Sequence, residues 1–222
     1  MGDMIELTAA CGHEFQAYLA GDPMAARGLV VVQEIFGVNR HMRQVCDELA
    51  GYGYQVVSPA LFDRAERGVE LDYTETGIER GLKLRAAIDE AAVLRDIEAA
   101  AARLAPRPTG IIGYCWGGTI AWYGATRSHA FKAACGWYGG GIAAARDETP
   151  HCPVELHFGA EDKGIPLTDV EAIKKRHPNI AVYIYEGAGH GFGCEARASF
   201  HSRANEIALH RSLAFFAEHL VA

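Results

Sequence analysis

No CxxC pair occurs in this chain. Its six cysteines, Cys11, Cys46, Cys115, Cys135, Cys152 and Cys194, stand singly, a spacing that excludes a zinc ribbon and a thioredoxin-type site. No run of Lys and Arg longer than three residues is present, and the formal net charge is -7. Nucleic-acid binders present a basic face, so nucleic acid is not an expected partner. No apolar stretch approaches the roughly 20 residues that span a bilayer, so no membrane partner is expected either. Neither G-x-x-x-x-G-K-[ST] nor G-x-G-x-x-G follows a strand-like segment, which leaves nucleotides without a binding signature. The opening residues, MGDMIELTAACGHEF, have no charged n-region and no long apolar h-region. The expectation is a reducing, cytoplasmic compartment in which the cysteines are thiols.

What is present is the composition of a folded domain: 222 residues, 50% hydrophobic and 22% charged. That length predicts one domain over residues 1–222 with a substantial core. Monomer and small homo-oligomer both fit it.

Gly28–Gln33 (GLVVVQ) is a continuous apolar run, the mark of a parallel strand covered on both faces. Before it, Met4–Thr8 and His13–Leu19 predict an antiparallel pair turning near Cys11 and Gly12. Asn39–Ala50 has apolar residues at helical spacing and stops at Gly51. Tyr54–Ser58 is the next buried strand, closed by Pro59. Asp63–Glu75 is polar and weakly patterned, which predicts a surface excursion near the site. Ile78–Leu104 is helical, with a break expected around Asp89. Further strands are predicted at Thr109–Gly113, Lys132–Tyr138, Val154–Phe158 and Ala181–Tyr185. Helices are predicted at Trp116–Ala125, Leu167–Arg176 and Ser202–Leu220. This alternation predicts an α/β fold, a mostly parallel central sheet with helices on both faces. Sites in such sheets collect at the carboxyl ends of the strands.

Gly113-Tyr114-Cys115-Trp116-Gly117-Gly118 lies between a predicted strand and a predicted helix. It matches the nucleophile elbow G-x-S-x-G of the α/β-hydrolase fold, with cysteine in place of serine. A strand reversing sharply into a helix strains its apex and brings backbone close, which suits glycine at 113 and 117. The apex side chain points into the cleft beside the positive end of the helix, a field that favours a thiolate.

In this fold the acid and then the base follow the nucleophile along the chain. Asp162 follows the strand Val154–Phe158, with Glu161 as the neighbouring competitor. His190 follows the strand Ala181–Tyr185, between Gly189 and Gly191. His190 would accept the thiol proton and later activate water, while Asp162 would hold the imidazole in the useful tautomer. His151 and Cys152 precede a strand, at the wrong end of the sheet. Asp169 and Glu171 fall on a helix as a solvated face. His201, His210 and His219 belong to or flank the last helix without carboxylates at ligand spacing, so no metal is expected. Acyl transfer needs backbone N–H groups aimed at the developing oxyanion. Trp116 should supply one, and Ile35, in the loop Gln33–Asn39, the other.

The chain resembles the dienelactone hydrolase family (carboxymethylenebutenolidases) over nearly its whole length. The resemblance rests on QEIFGVN at Gln33–Asn39, GYCWGG at Gly113–Gly118, WYGGG at Trp137–Gly141, the loop ending at Asp162, and AGHGF at Ala188–Phe192. It implies a cofactor-free Cys-His-Asp hydrolase that opens an ester or lactone through a thioester, with a small-molecule substrate and dienelactone-like compounds as the first guess. It also implies that Glu34 contacts the resting thiol and gates its ionisation. The reading of the residues leaves a second role open, in which Glu34 bonds an arginine and shapes the loop.

Family members that act on dienelactone hold its carboxylate with arginines. One lies four residues after the catalytic histidine, where this chain has Cys194. The residue directly after that histidine, commonly serine, is Gly191. The other arginine's position holds Ile78, with Arg80 and Arg85 nearby as substitutes. Phe36, Trp137, Tyr138 and Phe192, with Trp116, are candidates for an aromatic pocket and equally for the core. Two other functions fit the chain: a hydrolase-fold protein that binds a small ligand without efficient turnover, and a thiol redox protein using Cys115 with Cys194 as partner.

Overall fold

The computed structural model describes residues 1–221. The chain opens with a hairpin of two antiparallel strands, β1 (Asp3–Thr8) and β2 (Glu14–Ala20). Next come β3 (Arg27–Val32), α1 (Arg40–Gly51), β4 (Tyr54–Pro59) and a short 3-10 turn at Leu61–Arg64. Two helices follow, α2 (Glu75–Ala86) and α3 (Glu90–Leu104), separated at the expected break. Then come β5 (Thr109–Tyr114), α4 (Trp116–Arg127), β6 (Ala133–Trp137), β7 (Val154–Gly159), α5 (Leu167–Arg176), β8 (Ala181–Tyr185) and α6 (Ser202–His219). Among the described residues, no helix is long and apolar enough to cross a membrane.

The strands form one eight-stranded sheet in the order β1-β2-β4-β3-β5-β6-β7-β8. The hairpin joins it antiparallel through β2 and β4, and every pairing from β4 to β8 is parallel. Because side chains alternate across a strand, neighbouring glycines identify the two faces. A Cβ on Gly28 would meet Leu104 of α3, whereas one on Gly110, in register with Leu29, would meet Phe216 of α6. α3 and α6 therefore cover opposite faces. Leu29, Val30, Val31 and Val32 lie between them with no exposure. Each such side chain contributes about 1.5–3 kcal/mol through burial, which is why this run reads as apolar on both faces.

Local signals set the helix starts. Asn39 Oδ1 accepts from Met42 N at 3.1 Å and caps α1. Thr74 Oγ1 accepts from Gly77 N at 3.1 Å and starts α2 at Glu75, three residues before the expected Ile78.

The segment expected as a surface excursion, Asp63–Glu75, is mostly exposed beyond Arg64, and its first residues anchor it. Asp63 is buried, accepting from Gln16 N at 2.8 Å and Gly68 N at 3.2 Å. Arg64 forks onto buried Asp96 of α3 at 2.6 and 2.9 Å. Polar side chains here satisfy buried backbone donors, a use that composition alone does not distinguish from solvation.

Candidate active site

The four segments expected to carry function leave the sheet at one edge. The Ile35 loop follows β3, Cys115 follows β5, Asp162 follows β7 and His190 follows β8. These strands run parallel, so their carboxyl ends converge.

Cys115 is the apex between β5 and α4, with φ 57° and ψ -115°. That left-handed backbone is costly for a residue with a side chain, and close packing enforces it. A Cβ on Gly113 would overlap the carbonyl oxygen of Gly117, and one on Gly117 would overlap that of Val32. Only glycine at both positions lets the elbow close. Cys115 N donates to Trp137 O at 3.0 Å, tying the apex to β6.

His190 Nε2 stands 3.2 Å from Cys115 Sγ, and His190 Nδ1 is 2.7 Å from Asp162 Oδ2. The other Asp162 oxygen accepts from Gly164 N at 2.8 Å, which fixes the buried carboxylate. Glu161, the competing acid, is exposed. Burial works against a charge on His190, but the bonds to Asp162 and Cys115 outweigh it and raise its pKa to about 10. The Trp116 N–H lies in the first turn of α4, where backbone donors have no intrahelical acceptor. Ile35 and Trp116 both line the cleft at Cys115.

That cleft has a volume of about 480 Å³. One wall is apolar, formed by Phe36, Ile78, Leu82 and Ile165. Two guanidinium groups reach the cleft, Arg85 and Arg197. Arg85 lies 6.0 Å over the Trp116 ring, and Arg197 lies 5.8 Å over Phe36 and 5.9 Å over Tyr73. Arg197 was not among the expected site residues. Its place is decided by a loop of irregular backbone, and the local signal for it is Gly191. There φ is +74°, and any Cβ would press on the Arg197 guanidinium.

Four expected pocket residues do not line this cleft. Arg80 points outward and pairs with Glu66 at 2.5 Å, because α2 turns it away from Arg85. Trp137, Tyr138 and Phe192 are core residues with at most 1% exposure. They pack behind the histidine, with Tyr138 edge-on to the His190 ring at 5.3 Å and Trp137 stacked on Phe192 at 5.5 Å. Tyr138 packs against the His190 ring, and none of the three lines the cleft.

Glu34 is fully buried, with Oε1 3.5 Å from Arg197 Nη1 and Oε2 without a partner among the described residues. Burial raises its pKa, against the pull of Arg197 and His190. Of the two roles left open for it, the arginine contact is the one the structure contains.

Two groups of side chains have the donor atoms to hold a metal ion, Glu34–His41–Cys194 and Cys135–Glu155–His157. The second repeats the residue types of the Cys115 site, yet Cys135 and His157 have no exposure. His157 is held by Glu155 at 2.9 Å, Ser212 at 3.0 Å and Tyr185 at 2.8 Å. Burial also pushes the Cys135 thiol far above its ordinary pKa. With no access for substrate and a neutral thiol, this group is a structural network joining β6, β7 and α6.

The model of the dienelactone hydrolase family matches residues 15–220. The carboxymethylenebutenolidase of Pseudomonas putida is 33% identical over 226 residues, spanning 96% of this chain and 95% of that one. A Synechocystis sp. protein, provisionally named carboxymethylenebutenolidase, is 37% identical over 196 residues, 79% of each chain. Among solved structures, one from Klebsiella pneumoniae subsp. pneumoniae, provisionally named a dienelactone hydrolase, superposes with a TM-score of 0.84. It is 29% identical and is covered over 99% of its chain by 98% of this one.

Proposed function

The chain belongs to the dienelactone hydrolase family of lactone and ester hydrolases, and from that premise we propose that Cys115, His190 and Asp162 open a small ester or lactone through a thioester acyl-enzyme. The observation that carries this reading is the unbroken line from Asp162 Oδ2 to His190 to Cys115 Sγ, with gaps of 2.7 and 3.2 Å, at the floor of the cleft.

In the first half-reaction the Cys115 proton passes to His190 Nε2, and the sulfur attacks the carbonyl carbon. The developing oxyanion takes the N–H groups of Ile35 and Trp116. When the tetrahedral adduct collapses, the C–O bond to the leaving oxygen breaks and that oxygen takes the proton from His190. In a lactone the leaving oxygen remains tethered to the acyl chain. Water then attacks the thioester with His190 as base, and the thiol is released as the carboxylic acid forms. Asp162 keeps Nδ1 protonated throughout, so that Nε2 faces the sulfur.

The cleft suits a substrate with an apolar body and a carboxylate. Ile78, Leu82 and Ile165 receive the first, and Arg85 and Arg197 are within its walls for the second. Glu34, as the partner of Arg197, is the group from which an incoming carboxylate would take the guanidinium. The same reading treats the chain as one catalytic domain in a reducing, cytoplasmic setting, supported by the shared sheet and by six unpaired cysteines.

The test is to follow dienelactone by its absorbance, with an aryl ester in parallel, using wild type and Cys115→Ala. Turnover of either compound by the wild type only is the expected result. Equal rates in both proteins, or saturable binding of both compounds without turnover, would sink the proposal. Appearance of a Cys115–Cys194 disulfide in place of turnover would favour redox chemistry.

A further inference from the structure

We propose that Gly140 sets the size of the group that leaves during attack by Cys115. The space between Gly140 and Ile165 takes an uncharged, apolar alcohol portion of an ester, or in a lactone the ring carbon bonded to the leaving oxygen. This rests on the hydrolysis proposed above and assigns one side of the same cleft.

Cys115 divides that cleft, because β5 has β3 on one side and β6 and β7 on the other. On the β3 side α2 packs against the Ile35 loop, where a Cβ on Gly81 would overlap the Ile35 carbonyl oxygen. Both guanidinium groups belong to that side, Arg85 over Trp116 and Arg197 over Phe36. Trp116 in turn stacks at 5.6 Å on Phe62, which follows β4. The other side is walled by Thr119, Gly140, Gly141, Gly164 and Ile165, with no Asp, Glu, Lys or Arg. Two backbone donors there are already used, Gly141 N by Thr119 Oγ1 at 3.0 Å and Gly164 N by Asp162 Oδ1 at 2.8 Å. A polar or charged group entering this side would lose water without gaining partners, so an apolar one is favoured.

The chemistry says which part of the substrate lies there. The leaving oxygen takes its proton from His190 Nε2, and His190 enters after β8, on the same side of Cys115 as Gly140 and Ile165. The oxyanion turns the other way, toward the Ile35 N–H.

Of the three glycines in this wall, Gly140 is the one that packing does not explain. A Cβ on Gly141 would press on Thr119 at 2.6 Å, and one on Gly164 would crowd Asp162 Oδ1 at 3.3 Å. A Cβ on Gly140 would meet only Ile165, at 3.7 Å, an ordinary contact, and its backbone is outside the left-handed region. Such a glycine costs stability through the freedom of the unfolded chain. What it supplies is an open wall, since Gly140 is exposed and faces Ile165 in the cleft.

The test measures kcat/KM of the full chain and of Gly140→Ala and Gly140→Val on two series of esters. One series lengthens the alcohol from methyl to butyl with the acid fixed, and the other lengthens the acid with the alcohol fixed. One methylene in an apolar pocket changes selectivity about 10–200-fold. The butyl-to-methyl ratio of the alcohol series should therefore fall about tenfold or more in Gly140→Val and less in Gly140→Ala, with a smaller change in the acid series. Adding Ile165→Ala to Gly140→Val should restore part of the ratio by opening the facing wall. Ratios within one protein cancel any loss of folded enzyme, and Gly140→Ala remains informative if Gly140→Val does not fold. An unchanged alcohol ratio, or a fall as large in the acid series, would overturn the proposal. Calorimetry of the same esters on Cys115→Ala, with and without Gly140→Val, reads the space without chemistry. Selective loss of butyl-ester affinity beside a wild type that turns over nothing would sink hydrolysis alone. Turnover with no change in either ratio would sink the role of Gly140 alone.

Discussion

The Arg197 guanidinium fills the space that a side chain on Gly191 would need: a Cβ there would stand 2.5 Å from Arg197 Nη1. The loop between them turns tightly, with Cys194 N donating to Gly191 O at 3.0 Å and Arg197 N donating to Cys194 O at 3.1 Å. The two departures that the resemblance implies, glycine after the histidine and cysteine at 194, fall in one loop with Arg197. With cysteine at 194, the loop brings Arg197 into the cleft.

Gly191→Ser tests that arrangement. The left-handed backbone costs a serine about 1–2 kcal/mol, and its Cβ displaces Arg197. KM for a carboxylate-bearing ester should rise about tenfold, with little change for a neutral ester of similar size. Equal effects on both substrates would detach Arg197 from substrate recognition.

The two neighbouring arginines of α2 should separate cleanly. Arg85→Ala should raise KM for the anionic ester about tenfold, the loss of one charge-assisted contact. Arg80→Ala removes an exposed pair with Glu66 worth about 0–1 kcal/mol and should leave the kinetics unchanged. Steady-state kinetics of both variants decide the matter, and an Arg80 effect equal to that of Arg85 would contradict the geometry.

Asp162→Asn keeps the shape of the site but no longer enforces the tautomer with Nδ1 protonated. kcat should fall by about 10³–10⁴, while circular dichroism stays unchanged. A fall of less than tenfold would mean that His190 is oriented by other groups, with Tyr138 the first candidate.

His190 holds its proton more tightly in the folded protein, with a pKa of about 10 against an ordinary value of about 6.5. Its contribution to stability is complete below pH 6.5 and is lost as the pH rises toward 10. Urea unfolding of wild type and Asp162→Asn between pH 6 and 10 should therefore show a stability gap that narrows with rising pH. A gap that widens with pH would reverse the assignment of the proton.

Residue order alone determined most of the architecture and the reactive line. Strands covered on both faces must be apolar throughout, so Gly28–Gln33 and Tyr54–Ser58 announce themselves. An elbow that tolerates only glycine on either side of its apex marks Cys115 just as plainly. His190 and Asp162 followed from their positions at strand ends. Tertiary structure decided what depends on direction and on distant partners. Arg80 and Arg85 are five residues apart on one helix, and only the packing of α2 turns one into the cleft and the other out to Glu66. Trp137, Tyr138 and Phe192 have the chemistry of a pocket wall but lie behind the histidine. Arg197 enters through an irregular loop that carries no periodic signal, and Gly140 and Ile165 face each other from separate loops. Periodicity records which face of an element is buried; it does not record what lies across the gap, and a binding site is made of what lies across the gap.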